Sequence, residues 1–486
     1  MKHLFSKVDG IALSALMIFL CGCAVGPHYT RPSAPVPTAF KEAPPTGWKE
    51  AQPNDGALKG KWWEIFNDPA LNALEEQVAI NNQNVLMAEA QYREARDLVK
   101  VARSALFPTV TAGPAITAAS GGLGSVGNAA ASNVRGVFSL PVDVSYTVDL
   151  WGSIRRTVHQ EARFTQASAA QLENAKLTYQ ADLANDYFQL HGVDSNIELL
   201  DRTVASYRDF LQLTRNRYAS GVASGGDIAQ AETQLYSAQA GLIDLQQTRA
   251  IYEHAIAVLT GKTPSQVEVP RLVLKNAPPP VPLVVPSALL ERRPDVAAAE
   301  RQMAAVHEQI GINQAAFYPT LGISAAGGFQ SGSFVNWFTW PARFWSIGPS
   351  LSQVLFDAGR RRAQVAEAQD AFDAALANYR QTVLTGFQQV EDNLATLRVL
   401  ENEAATEAQD VEAAERSLTI STAQYKAGTV SYLQVITSQA LALSAERTAV
   451  DILTRRYVAS VMLIEALGGG WSESQLPQES QVASGK

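Results

Sequence analysis

The chain states one pattern twice, 207 positions apart, and this duplication constrains its fold more than any other feature. A shift of 207 carries Gly152 onto Gly359, Arg155 onto Arg362, Ala167 onto Ala374, Leu190 onto Leu397, Tyr218 onto Tyr425, Gly221 onto Gly428 and Ser237 onto Ser444, with no gap. A period this long marks a tandem duplication, since solenoid units run roughly 20–50 residues. Each copy reads as a strand, a very long helix, a tight glycine turn and a second long helix. From Gly152 to Arg217 run 66 residues without proline and with one interior glycine, Gly192. Such a helix extends about 100 Å at 1.5 Å per residue. It outgrows a globular core and suggests a tube or a strut.

Periodicity supports long helices that pack on one another. Leu183, Leu190, Ile197, Val204 and Leu211 recur every seven residues, and Val390, Leu397, Ala404, Val411 and Leu418 do so in the second copy. A sustained heptad seam implies helices coiled around neighbours. Gly221 and Gly428 suit the left-handed residue that ends a helix. Returning helices are expected over about Asp227–Leu259 and Ser431–Leu467. Ahead of each long helix lies a shorter helical pattern ended by a proline, Pro108 or Pro319, because a residue before proline avoids the helical region. Strands are expected at about 109–117, 137–150, 321–330 and 347–356. In the second of these Val142, Val144, Tyr146, Val148 and Leu150 alternate with Asp143, Ser145, Thr147 and Asp149. That alternation suits a barrel strand with lipid outside and water inside, and equally a half-buried soluble strand. The loop from Ser331 to Phe344 carries Trp337 and Trp340, with Trp345 just beyond, as a membrane-interface girdle would.

The amino terminus directs export. Lys2 and Lys7 precede an apolar run, Ile11–Leu20, which is too short to span a bilayer and fits the core of a secretory signal. Leu20-Cys21-Gly22-Cys23 then has the form of a bacterial lipobox, implying cleavage before Cys23 and its acylation. Ala24 in place of an aspartate favours the outer membrane. The formal charge is −8, and loss of Lys2, Lys7 and Asp9 with the signal takes it to −9. This argues against nucleic acid as a partner. No later run of about 18 apolar residues occurs, so any membrane crossing must be a closed barrel.

The implied map is a signal over 1–22, a lipid-anchored proline-rich tether over 23–60, a first repeat over 61–263, a proline-rich linker over 264–286, a second repeat over 287–467 and a polar tail over 468–486, expected to be disordered. The class is an α+β membrane protein. Four strands per protomer cannot close a barrel, which needs about eight, whereas three protomers supply twelve.

The segment Cys23-Ala24-Val25-Gly26-Pro27-His28-Tyr29-Thr30-Arg31-Pro32 resembles the start of NodT-type outer-membrane efflux lipoproteins, the TolC-like outer-membrane factors of tripartite RND-type pumps. Glu291-Arg292-Arg293-Pro294-Asp295-Val296, Phe317-Tyr318-Pro319-Thr320, Phe356-Asp357-Ala358-Gly359 and Tyr425-Lys426-Ala427-Gly428 resemble further motifs of that family. The resemblance spans nearly the whole mature chain. It implies a homotrimer with a twelve-stranded barrel and a periplasmic helical tunnel, docked to a periplasmic adaptor and an inner-membrane transporter. It implies no cofactor and passive export of drugs or other small toxic compounds.

The resemblance also assigns residues. Asp227, after the first turn, is expected to bond to Tyr425, before the second, and to hold the periplasmic end closed; three copies of Asp227 would form a cation-selective constriction. Asp227 can equally be a carboxylate facing a helix macrodipole, and Tyr425 a residue of the heptad seam. Some relatives carry acidic rings where this chain has neutral Gln434 and Thr437. The tips Gly221-Val222-Ala223 and Gly428-Thr429-Val430 are expected to meet the adaptor.

Rival readings find less support. Gly122-Leu123-Gly124-Ser125-Val126-Gly127 has a GxGxxG spacing but opens no helix, so it reads as a loop. The six histidines are scattered, with no pair at ligand spacing. An enzyme is therefore not expected. A lipid-tethered coiled-coil scaffold would leave the paired alternating strands unexplained. A duct for type I protein secretion is the remaining alternative.

Overall fold

A computed structural model describes residues 25–45, 60–120, 134–282, 286 and 291–484; the signal over 1–22, Cys23 and the 122–127 motif lie outside these. The duplication is visible element by element. Helices α3 (Ser153–Ala219) and α6 (Arg360–Lys426) are each 67 residues long. Their returning partners α4 (Gly225–Leu259) and α7 (Tyr432–Ala466) are each 35. Both long helices start after a glycine at positive φ, Gly152 at 80° and Gly359 at 91°.

The first helical stretch is two helices rather than one, α1 (Pro69–Asn81) and α2 (Gln83–Ser104). Asp68 caps α1 by accepting from the amides of Ala70 and Leu71. Asn82 caps α2 by accepting from the amides of Asn84 and Val85, and its amide group donates to the Leu259 carbonyl at 2.9 Å. The break therefore seats the end of α4 against the shorter helices.

Helix α5 (Pro294–Ala315) packs beside α3 and α6, while α3 also meets α2, α4 and α7. The main core lies midway along the hairpins, around Leu183, Tyr187, Leu190, Val390, Leu394, Ile452 and Ile464. Here α3 and α7 nearly touch: a Cβ on Gly192 would come within 2.3 Å of the Thr454 hydroxyl. All five α3 seam residues are buried. On α6 only Val390 and Leu397 are, and Ala404, Val411 and Leu418 stay half-buried because the lower half of α6 has a neighbour on one side only.

The strands form one antiparallel sheet in which β1 (Thr109–Ala112) and β2 (Ala115–Ser120) both pair with β3 (Val134–Val148), followed by β4 (Thr320–Ser331) and β5 (Arg343–Ser352). β1 and β2 hold one register on β3, from Ala112 opposite Val142 to Ala115 opposite Ser139. The gap contains Pro114 and faces Pro141, two residues with no amide proton to give a ladder. The second copy's last strand also sits four residues earlier than the sequence pattern indicates, and Val354, Leu355 and Phe356 lie beyond it. Asp149 leaves the strand as well: its carboxylate accepts from the amides of Ile154 and Arg155 and starts α3.

The tail, expected to be disordered, is instead packed. Trp471 is buried against Ala170, Ala297 and Ala298, and Val482 of α8 (Glu479–Ser484) is buried against Val99, Val158 and Ala162. Leu476 and Ala483 pack against the same two clusters. Glu479 adds ion pairs to His159 at 2.8 Å and Arg163 at 3.4 Å.

This contact is pH-dependent by linkage. The hydrogen bond to Glu479 raises the His159 pKa above 6.5, and the same bond lowers that of Glu479 below 4.5, with Arg163 and Glu308 as further charges nearby. The contribution of charged His159 is complete below pH 6.5 and is lost as pH rises through its raised value. That of ionised Glu479 is complete above pH 4.5 and is lost as pH falls through its lowered value. Protease protection of residues 471–484 should therefore peak between about pH 4.5 and 6.5, and Glu479→Gln should flatten that profile.

Candidate functional site

Three regions converge on one reading: the hairpin tips, the two faces of the sheet and the tether. Each tip is a Schellman motif. In the first, Gly221 at φ 75° donates to the Tyr218 carbonyl and Val222 to the Arg217 carbonyl, both at 2.9 Å. In the second, Gly428 at φ 79° donates to Tyr425 and Thr429 to Gln424, both at 3.0 Å. The tips then diverge. Ser224 and Asp227 form a reciprocal capping box at the start of α4, whereas Ser431 caps α7 with no side-chain bond. The 207 shift explains this, since it places neutral Gln434 where the first copy has Asp227.

The structure does not join Asp227 to Tyr425. Oδ2 of Asp227 accepts from the Ser224 amide at 2.8 Å and from its hydroxyl at 3.0 Å. Tyr425 is 4% exposed, packed with Tyr207, Leu211, Leu235, Tyr432 and Val435, and its hydroxyl has no hydrogen-bond partner among the described residues. Its repeat equivalent, Tyr218, is 53% exposed. Asp227 does act on this cluster from a distance: burial first, and then the nearby Tyr425, Tyr207 and Asp227, push the Tyr432 phenol up to about 12. Gln434 and Thr437 carry no charge at this end, so no acidic pair supplements Asp227 on α7.

Arg217 was not singled out by the sequence. Its guanidinium lies 4.6 Å from the Tyr425 ring centroid, and Nη1 donates to the Lys426 carbonyl at 3.4 Å. It thus covers the Tyr425 ring and caps α6, the favourable place for a cation at a helix carboxyl end. The available signal was slight: Gln424 is its counterpart in a turn where only Tyr218 and Gly221 match their equivalents, Tyr425 and Gly428.

In the sheet, directly paired residues share a face. One face carries the rows Val110–Val144–Ala325–Ile347, Tyr146–Ile323–Pro349 and Val148–Leu321–Leu351. The other carries Thr109–Ser145–Ser324–Gly348 and Thr111–Asp143–Ala326–Ser346. A sheet apolar on one face and hydroxylic on the other suits lipid outside and water inside. Trp340 and Trp345 are exposed, as girdle residues would be, but Trp337 is buried among Phe138, Phe334 and Phe338.

The tether is held at the junction of sheet and helices. The Val25 amide donates to the Trp151 carbonyl at 3.1 Å, and Arg156 donates to the Val25 carbonyl at 2.8 Å while pairing with Glu308 at 2.6 Å. Tyr29 donates to Glu300, and the amides of Lys41 and Glu42 donate to Glu391 on α6. The segment is therefore bound along the helices over residues 25–42.

Comparison with known proteins fits this geometry. The family model for outer membrane efflux proteins matches residues 74–262 and 285–469, one stretch per repeat. The chain belongs to the outer membrane efflux protein family. It is 28% identical to the probable efflux pump outer membrane protein TtgC of Pseudomonas putida over 98% of both chains. It is also 28% identical to outer membrane protein OprJ of Pseudomonas aeruginosa, over 96% of this chain and 98% of OprJ. Among solved structures, the outer-membrane channel OprN superposes with a TM-score of 0.84 at 28% identity, covering 92% of this chain and all of OprN. VceC of Vibrio cholerae follows with 0.78 at 25%, covering 86% of this chain and all of VceC.

These relatives are efflux-channel proteins rather than enzymes. Among the described residues no helix is long and apolar enough to cross a membrane.

Arg217→Ala removes a cation–π contact worth about 0.5–2 kcal/mol together with a helix cap. Amides around Gly428 should then lose roughly tenfold in hydrogen-exchange protection, while those of the mid-helix core keep theirs. Arg217→Lys should restore part of it, because it keeps the charge but not the planar stack.

Proposed function

We propose that three copies of the chain close a twelve-stranded outer-membrane barrel, continued into the periplasm by their helical hairpins, as the exit duct of a tripartite efflux system. The observation that carries this reading is that one protomer is open on matching sides. β1/β2 and β5 are unpaired sheet edges, which a closed barrel removes. Along α4, Tyr236, Ile243, Ile251 and Val258 form an exposed apolar stripe at seven- and eight-residue spacing, as coiled-coil partners require. On α6, Leu384, Val399 and Ile420 are likewise exposed. Within the chain, α3 and α7 pack in the manner that α6 and the next copy's α4 would by the same repeat.

Export is passive, with energy supplied by an inner-membrane transporter reached through a periplasmic adaptor that meets Gly221–Ala223 and Gly428–Val430. The cargo is drugs or other small toxic compounds, in keeping with relatives named for toluene, solvent and antibiotic efflux. Cys23 carries the lipid. It precedes by two residues Val25, whose amide is held at the sheet–helix junction by the Trp151 carbonyl. Asp227 lines the closed end as a threefold carboxylate ring, and Tyr425 forms the packed wall behind it; Asp227 caps α4 at the same time.

Single-channel recording of the purified mature protein tests the duct. Small, cation-selective steps are expected, with Asp227→Ala enlarging them and weakening cation selectivity. Unchanged conductance and selectivity would leave Asp227 as a helix cap alone. Cys23→Ala should abolish acylation yet leave trimers in the outer membrane; complete loss of membrane association would favour a tethered scaffold.

A further inference from the structure

The outer end of the sheet carries charge in an unusual way. Between Asp97 and Asp143, and again between Glu308 and Asp357, the chain has no acidic residue. These stretches contain β1, β2, β4, β5, the part of β3 ahead of Asp143, and the sequence that joins β2 to β3 and β4 to β5. Within 109–142 and 309–356 the only charged residues are Arg135 and Arg343, in a chain whose overall charge is −8.

Arg343 has a defined place. It pairs with Phe329, which pairs with Leu140, and so belongs to the apolar, lipid-facing rows. On the same face of β5 follow Trp345, Ile347 and Leu351, all well exposed. From Arg343 to Leu351 the strand runs about 26 Å. A tilt of 35–45° makes that about 20 Å of depth, most of an apolar band about 25 Å tall. Leu351 thus lies towards the periplasmic edge, where Trp151 stacks on Tyr318 at 4.7 Å. Arg343 marks the outer edge.

Its guanidinium is held rather than free to wander. It lies over the Trp340 ring, and Nε donates to the Trp340 carbonyl at 3.3 Å. The two terminal nitrogens make no ion pair with a carboxylate among the described residues. The strand that would close the barrel against β5, with its loop, also has no acidic residue. A planar cation with its fork unoccupied, at headgroup depth on a lipid face, matches a phosphate.

We propose that Arg343, positioned by Trp340, binds the phosphate of an outer-leaflet lipid headgroup, so that three such sites ring the outer rim of the barrel. The adjoining Phe334, Val335 and Phe338 are exposed and continue the apolar face upward, offering contact to the acyl and sugar portions of the same lipid. The inference rests on the barrel reading above and is tested separately from it. Purified full-length trimers would be mixed with a phosphorylated acyl-glucosamine lipid, or its dephosphorylated form, and retained lipid counted by native mass spectrometry. The phosphorylated lipid should bind and the dephosphorylated one should not. Arg343→Gln should lose at least about tenfold in retention and Arg343→Lys less, since it keeps charge without the fork. Inorganic phosphate at millimolar levels should not displace the lipid. Equal retention by Arg343→Gln, equal binding of the dephosphorylated lipid, or displacement by inorganic phosphate would each overturn the site. Bilayer conductance of Arg343→Gln should match the parent, so a failed lipid site is distinguishable from a failed duct.

Discussion

A helix of 67 residues has nothing to bury its seam against except helices of similar length, and the rest of the architecture follows from that requirement. α3 meets it inside one chain, flanked by α2, α4, α5 and α7. α6 does not, and its seam beyond Leu397 stays half-buried. The duplication sharpens the contrast, because equivalent residues ought to have equivalent surroundings. Val204 and Leu211 of α3 are buried while their counterparts on α6, Val411 and Leu418, are half-buried, so the missing neighbour is identified by the one present. Burial of a side chain of that size is worth roughly 1.5–3 kcal/mol, and repeated along a stripe of four or five residues it is a strong drive towards association.

The same economy governs the two ends. At the tips each turn is built by one glycine at positive φ and two backbone bonds, a geometry that leaves little side-chain bulk at the surface. Asymmetry enters through three residues, Arg217, Asp227 and Tyr425, which have Gln424, Gln434 and Tyr218 as their repeat counterparts. A duct with six equivalent hairpins would have no means of treating alternate hairpins differently; these differences supply one. At the other end the sheet divides lipid from water by strand alternation alone.

Much of this was legible in the chain. Pro108 and Pro319, Gly221 and Gly428, and the 207 shift located the helices and turns to within a few residues, since each acts through local backbone chemistry. What was not legible depended on contacts distant in sequence. Asn82 breaks a continuous helical pattern because its side chain reaches both α2 and Leu259. The tail looked disordered because Trp471 and Val482 are isolated among polar residues, and only the groove that receives them makes them decisive. Asp227 and Tyr425 read as a bonded pair by resemblance, but the aspartate is engaged by Ser224, three residues away, and the tyrosine by an arginine from the other hairpin. In the sheet, the alternation in β3 was clear, yet Asp149 belonged to the next helix, because a carboxylate one residue past the strand finds two free amides at once.

The scarcity of charge in the strands and their loops bears also on how the barrel reaches its final position. The turns at the end of the sheet away from the helices, that between β4 and β5 among them, are the segments that must pass through hydrocarbon when such a sheet inserts from the periplasmic side. An arginine or lysine at the bilayer midplane of a barrel costs about 2–4 kcal/mol. Residues 109–142 and 309–356 carry one arginine each and no carboxylate. The barrier to insertion is therefore about as low as a polar-tipped hairpin allows, and each added surface charge on those loops should slow the entry of the barrel into the membrane while leaving the finished duct unaltered.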